Sequence, residues 1–215
     1  MSARRFAYPI VLDLAGRRAV VVGGGRVALR KARALLAAGA LVRVVAPKLL
    51  AQLRRDKRIE CRAEAYRKRH LKGALLVIAA TDREAVNARV AADARAAGAL
   101  VNVVDRPEEC DFIVPSQVRR GALLIAATTG GAAPSLSRRI RERLERQFGP
   151  EYARWLKALA KVREDLKARG VAPGVRRRIF ERLTRDDVLA AARRGPAALE
   201  RAIAKAVGVA ACGDG

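Results

Sequence analysis

Three consecutive glycines at the end of a β-branched run limit what this chain can become more than any other stretch of it. Arg18-Ala19-Val20-Val21-Val22 reads as a strand, Gly23-Gly24-Gly25 as a tight turn, and Val27, Leu29, Leu35 and Leu36 as the apolar face of a helix. Gly39 fits the end of that helix, and Ala40 to Ala46 reads as a second strand stopped by Pro47. A strand, helix and strand joined this closely form a right-handed βαβ unit with parallel strands. The pattern then continues. Ile59 to Ala63 is extended, and Ala74 to Ala80 is a continuous apolar run suited to a central parallel strand. Thr81 or Asp82 can cap a helix from about Arg83 to Ala97, Gly98 ends it, and Leu100 to Val104 is the next strand. This alternation predicts an α/β domain over residues 1–113, a Rossmann-type doubly wound and mainly parallel sheet, with ligands beyond the strand carboxyl ends.

After Asp111 the pattern changes. Phe112-Ile113-Val114-Pro115 reads as extended and Ala122 to Thr129 as a strand, with Pro134-Ser135-Leu136 opening a charged helix that runs to Gln147. From Glu151 onward only helices are expected, with breaks at Gly170 to Gly174 and at Gly195-Pro196. Hydrophobic residues make up 51% of the 215 but aromatics only 4%, so the core has to be built from Ala, Val and Leu. No apolar run approaches the ~18 residues of a bilayer span, and Pro9 and Asp13 interrupt any leader after Arg4-Arg5, so a cytoplasmic protein is expected. Cys61, Cys110 and Cys212 are too scattered for a disulfide framework or a zinc site, and no metal ligand set is expected.

The formal net charge of +24 is the compositional outlier; it is spread over both halves of the chain, with no basic tail. It attracts polyanions, whether nucleic acid, an anionic surface or a multiply charged small molecule, and coding bias explains it equally well. Arg176-Arg177-Arg178 is the densest local cluster and reads as a solvated helix face. His70, in the run Arg67-Lys68-Arg69-His70, reads as a solvated surface histidine, and Trp155, spaced helically with Tyr152, Leu156 and Leu159, reads as core.

Gly23-Gly24-Gly25-Arg26-Val27-Ala28 is a G-x-G-x-x-A sequence at a strand-to-helix junction. Gly23 permits the turn, Gly25 lets a pyrophosphate approach the backbone, Ala28 allows close helix–sheet packing, and the helix N-terminus offers free N–H groups. A plain tight turn is the competing reading. The second strand ends in Val45-Ala46-Pro47-Lys48 without the acidic residue that holds a ribose 2′-hydroxyl, so NAD and NADP stay open, and Arg43 or Lys48 can favour a 2′-phosphate. Asp105, in Asn102-Val103-Val104-Asp105-Arg106-Pro107, is the leading acid/base candidate, with an Asx turn as the alternative. Thr128-Thr129-Gly130-Gly131 is either an anion-holding loop or a simple turn.

Several of these segments together resemble one family. Tyr8-Pro9, Leu12, Val21 to Ala28, Arg30-Lys31-Ala32, Ala79 to Asp82, Val86-Asn87, Asn102 to Asp105, Phe112 to Ser116, and Thr129-Gly130-Gly131 with Pro134 follow the order of the siroheme synthase N-terminal module. The family comprises precorrin-2 dehydrogenases, some of them also sirohydrochlorin ferrochelatases. The likeness covers about residues 6–170 and leaves no room for a methyltransferase domain, as in a stand-alone form. It implies NAD as cofactor, since the family uses NAD although it too lacks a reliable acidic residue after the second strand. It implies cofactor contacts at Gly23, Gly24, Gly25, Arg26, Val27, Pro47, Lys48, Thr81 and Asn102, and a catalytic Asp105. Ser116, Thr129 and Gly130 become substrate contacts, with Thr129 at a position that is a phosphorylatable serine in some fused members.

The resemblance further implies a homodimer, with a small α+β dimerisation region at 114–150 and a helical domain at 151–215. The expected reaction is oxidation of precorrin-2 to sirohydrochlorin, a use for the positive charge because the substrate is a polycarboxylate; ferrous insertion is left open. The alternative is a Rossmann-type, NAD(H)-responsive regulator holding nucleic acid on its basic surface. Nucleic acid is the less expected partner, because no helix-turn-helix pair or aromatic RNA-binding stripe is present.

Overall fold

Strands with β-branched or apolar residues on both faces need cover on both faces. The computed structural model describes residues 8–211; the Arg4-Arg5 pair and Cys212 lie outside the described residues. In it β1 (Arg18–Val22), β2 (Leu41–Val45), β3 (Ile59–Arg62), β4 (Ala74–Ala79) and β5 (Leu100–Val103) form a wholly parallel sheet in the order β3-β2-β1-β4-β5. One set of alternating side chains, Ala19, Val21, Val42, Val44 and Ile78, packs on Ala28, Ala32 and Leu35 of α1 (Arg26–Ala37), together with Leu53 of the short α2 (Ala51–Arg55). The other set, Val20, Val22, Val77, Val101 and Val103, packs on Val90, Ala91 and Ala94 of α3 (Glu84–Ala96). Alanines on the inward faces of both helices let them lie close to the sheet, which is how a core poor in aromatics fills its volume. The fold is the expected Rossmann-type one, and its strand order reverses between β1 and β4, where such sheets open a ligand crevice.

The chain divides into two compact units that meet between Val114 and Pro115. The second unit holds the antiparallel hairpin of β6 (Ser116–Arg120) and β7 (Leu123–Ala127), then α4 (Pro134–Gln147), α5 (Glu151–Ala168), α6 (Pro173–Leu183), α7 (Asp186–Arg194) and α8 (Pro196–Ala211). Apart from Val114, the segments 114–150 and 151–215 both lie in this unit, where β6 and β7 pack on α5. Trp155, Leu159, Ile179, Leu183, Val188 and Leu199 form the helical core, and the Trp155 indole donates to the Leu183 carbonyl at 3.1 Å. Trp155 is therefore core, as its spacing predicts.

Three local expectations change. Phe112 to Pro115 joins no strand; its Phe112 carbonyl is tied down by Asn102 Nδ2 at 3.0 Å, and β6 begins only at Ser116. α3 begins at Glu84 with neither Thr81 nor Asp82 as its cap residue, because Thr81 Oγ1 accepts from the Arg83 N–H one position too early. An extra break at Thr184–Arg185 separates α6 from α7, a boundary with no Gly or Pro to announce it. No helix among the described residues is long and apolar enough to cross a membrane.

Trp155→Ala removes the largest side chain of the helical core and should cost about 3–5 kcal/mol. Trp155→Phe keeps most of the volume but strands the Leu183 carbonyl, for about 1–3 kcal/mol. Urea unfolding monitored by circular dichroism measures both; equal losses would mean that the indole hydrogen bond contributes nothing.

Candidate active site

The carboxyl ends of β1, β2 and β4 meet around the three glycines. Gly23 donates to Val45 O at 2.9 Å, Ala80 donates to Val22 O at 2.8 Å, and Leu50 donates to Gly24 O at 3.0 Å. Gly23 adopts φ +137, and a Cβ there would lie 2.3 Å from the Ala80 carbonyl oxygen; a Cβ on Gly24 would lie 1.8 Å from that of Lys48. Both glycines are thus fixed by close backbone approach. Gly25 is different: a Cβ on it would meet nothing within 4 Å, so it faces open space at the first turn of α1. The first N–H groups of a helix have no partner inside it and carry the positive end of its dipole. An anion can fill that space without displacing a protein contact.

The space belongs to a cleft of about 720 Å³. Its lining includes Gly23 to Val27 from the turn, Pro47 and Lys48 from the end of β2, and Thr81 from the end of β4. The 80–83 segment is held by Asn87, whose Oδ1 accepts from the Thr81 backbone N–H at 3.2 Å and from its hydroxyl at 2.7 Å, while Nδ2 donates to the Thr81 carbonyl at 3.0 Å. Asn87 is buried on α3, and its role as a clamp was visible in sequence only as part of a family motif. Tyr66 adds an aromatic wall; its hydroxyl donates to Asp93 Oδ2, and burial followed by that carboxylate pushes the phenol above its ordinary range.

Two basic side chains read as possible partners for a dinucleotide separate here. Lys48 lines the cleft. Arg43 does not, because it is spent beneath the sheet: Nη1 donates to the His70 carbonyl at 2.7 Å and Nη2 pairs with Glu60 at 3.0 Å. The expectation of a 2′-phosphate contact from Arg43 is corrected accordingly. His70 is also corrected. It is only 5% exposed, its Nδ1 accepts from the Arg67 N–H at 3.0 Å, and its Nε2 lies 3.1 Å from Glu64, six residues back in the chain. The bond to Nδ1 assigns the proton to Nε2. In return His70, with Arg69 beyond it, holds the Glu64 carboxyl below its usual range.

One strand beyond Thr81, Val104 donates to Ala79 O at 2.9 Å and fixes the end of β5 on the same sheet edge. Asp105 follows with φ +61, and is the only non-glycine with positive φ among the described residues. An aspartate tolerates this conformation better than most residues but still at some strain. The turn is over-determined: the buried Cys110 Sγ donates to Val103 O and Arg106 O and accepts from the Val103 N–H, each at 3.2 Å, with Asn102 Nδ2 at 3.4 Å. Burial raises the Cys110 thiol above its ordinary range, which makes it a structural clamp rather than a nucleophile. An Asx turn is excluded, since it needs the N–H two residues on and that residue is Pro107. The Asp105 side chain is exposed, with no hydrogen-bond partner among the described residues. Its charged neighbour is the half-buried Lys31 of α1, lowered from the ordinary lysine range by burial and then by Arg30, against the pull of Cys110 and Asp105.

Asn102 stands apart from the cleft lining; it is buried, and its amide is spent on Cys110 and Phe112. In the second unit, Ser116 opens β6 opposite Ala127. Thr128 Oγ1 accepts from the Gly130 N–H and Thr129 Oγ1 from the Ala133 N–H, both at 3.1 Å, so these hydroxyls satisfy their own loop ahead of α4. Among the described residues no three His, Cys, Asp or Glu side chains gather as a metal site.

Comparison with known proteins agrees with this geometry. An NAD(P)-binding family model matches residues 10–116. Siroheme synthase of Nitrosospira multiformis is 44% identical over 182 residues, 81% of this chain, and that of Chromobacterium violaceum is 43% identical over 198 residues, 91% of it. The chain belongs to the siroheme synthase N-terminal module family. The module spans 39% and 42% of those two relatives. Over the whole module a solved structure, "SirC, precorrin-2 dehydrogenase", superimposes with TM-score 0.75 at 25% identity, covering 93% of this chain and 98% of that one.

The two glycine environments predict opposite defects. Gly24→Ala should destabilise the fold by about 1–3 kcal/mol, because two backbones must separate. Gly25→Asp should leave the unfolding midpoint unchanged and, with a pyrophosphate over Gly25, weaken NAD at least about tenfold by placing a carboxylate against it. Thermal unfolding and NADH fluorescence titration, run on both variants, separate the two; a Gly25→Asp chain that binds NADH normally would contradict the assignment.

Proposed function

We propose that the module oxidises precorrin-2 to sirohydrochlorin with NAD as hydride acceptor, and that it works as a homodimer. The observation that carries the catalytic part is Asp105, a strained, exposed carboxylate without a hydrogen bond, at the sheet edge where the glycine cleft opens. Strain of this kind persists where surrounding contacts hold it, and it marks functional positions more often than chance does.

The cofactor fits the residues present. The space over Gly25 takes the pyrophosphate against free N–H groups, and the cleft continues past Thr81 to Asp82, Arg83 and Val86 at the start of α3, with Asp105 beyond its lining on the same sheet edge. When bound, NAD supplies the two-electron acceptor. The chain's own part is positional and acid–base. The Thr81–Asn87 clamp fixes the floor between the glycine turn and β5, and the Cys110 clamp aims the carboxylate of Asp105. That carboxylate takes or relays the proton released as the macrocycle gains a double bond.

A substrate with many carboxylates suits a chain of net charge +24. The dimer is supported by the hairpin of β6 and β7. Leu123, Leu124 and Ile125 stay half-buried although the hairpin already packs on α4 and α5, which leaves apolar surface for a second copy to cover. Ser116, Thr129 and Gly130 are the proposed substrate contacts of this unit.

Asp105→Asn should fold normally, since asparagine accepts the same positive φ. It should bind NAD like the wild type and lose about 10²–10⁴-fold in kcat. The assay is anaerobic incubation with precorrin-2 and NAD, followed by absorbance of sirohydrochlorin. Normal turnover in the variant would reduce Asp105 to a turn residue; no product from the wild type at saturating NAD would overturn the function itself.

A further inference from the structure

Away from the glycine cleft, the helical unit has a second cleft of about 550 Å³, within the size range of small-molecule sites. Its charge is one-sided. Arg182 at the end of α6, Arg185 in the following link, Arg194 at the end of α7, and Arg201 and Lys205 on α8 line it. Asp187 is the one acidic residue in the lining, and its Oδ1 accepts from the Val188 N–H of its own helix. None of the five cations forms an ion pair among the described residues. Elsewhere in the same unit several arginines do: Arg138 with Glu142 at 3.0 Å, Arg177 with Glu181 at 3.8 Å, and Arg193, next to Arg194, with Glu151 at 3.2 Å.

The helix dipole favours cations at helix C-termini and explains why Arg182 and Arg194 are tolerated. It does not explain Arg201 and Lys205, four residues apart in mid-helix, where like charges repel. Nor does it explain Arg182 Nη1, which is buried and without a hydrogen-bond partner among the described residues. A buried guanidinium nitrogen left unpaired is costly, and negative charge brought into the cleft beside it offsets part of that cost. The floor is apolar: Ala198, Ala202 and Ala206 fall on the same face of α8 as Arg201 and Lys205.

We propose that this cleft binds a small multivalent anion, a compact molecule bearing at least two phosphate or carboxylate groups, with its body on the alanine strip and its anionic groups among Arg182, Arg185, Arg201 and Lys205. The proposal is independent of the dehydrogenase reading. Its test is isothermal titration calorimetry of the whole chain with pyrophosphate and, separately, benzenehexacarboxylate, at about 150 mM salt to suppress diffuse attraction. The variants are Arg182→Met, Arg201→Gln and, as an exposed control of equal charge change on α5, Lys161→Gln.

Saturable one-to-one binding of either probe is expected, weakened about tenfold or more by Arg182→Met and by Arg201→Gln and unchanged by Lys161→Gln. The tighter probe tells which anionic group the cleft prefers. Arg182→Met should also raise the probe-free melting temperature, and its midpoint should no longer climb as the probe is added. Absence of saturable binding, an unchanged affinity in Arg201→Gln, or an equal loss in Lys161→Gln would each overturn the proposal, the last by reducing it to the attraction of net charge.

Discussion

Two backbone carbonyls, those of Ala80 and Lys48, close on the end of β1 more tightly than any residue with a side chain allows. This contact brings the ends of β2, β1 and β4 to one point and swings α1 away so that its first turn faces the resulting crevice. Every later property of the cleft depends on it. With a Cβ at Gly23 or Gly24, the strands splay and the N–H groups at Gly25 no longer face a bounded space. The glycines thus act at two levels: two of them build the site by packing, and the third leaves it open for an anion.

At the next strand the constraint has the opposite sign. Where the glycines relieve crowding, Asp105 is held in a conformation it does not prefer, by a thiol that ties together Val103 and Arg106 and by the strand-end bond from Val104 to Ala79. The hydrogen bonds of the turn are all made by its neighbours, which leaves the carboxylate free for chemistry. A buried cysteine that is inert by reason of its burial has its function in this clamp.

Elements and chemistry differ in how far the sequence reveals them. The parallel sheet was legible because its strands are short β-branched or apolar runs punctuated by Gly39, Pro47 and Gly98, and the helical core because Trp155 and its neighbours keep helical spacing. The places of the glycine turn and of Asp105 at the carboxyl edge of the sheet were legible from motif and position. The long-range pairings were not. Arg43 looked available for a 2′-phosphate until its partners at Glu60 and His70 were placed, and His70 looked solvated because it sits in a basic run. For Arg43 the determining contacts come from a different strand and turn, and for His70 they come from Arg67 and Glu64 just before it, in a turn that buries the ring, so local composition misleads. The paired and unpaired arginines of the second unit look alike in sequence for the same reason, and only the fold separates Arg193 from Arg194.

A crystal structure of the chain with NAD bound tests the central claim, that the glycine turn seats the dinucleotide and points it along the sheet edge to Asp105. The account predicts pyrophosphate oxygens about 3 Å from the N–H groups of Gly25, Arg26 or Val27, and a nicotinamide ring on the Thr81 side, toward the end of β5. A pyrophosphate bound elsewhere, with the first turn of α1 left to solvent, or a nicotinamide turned away toward β3, would contradict it.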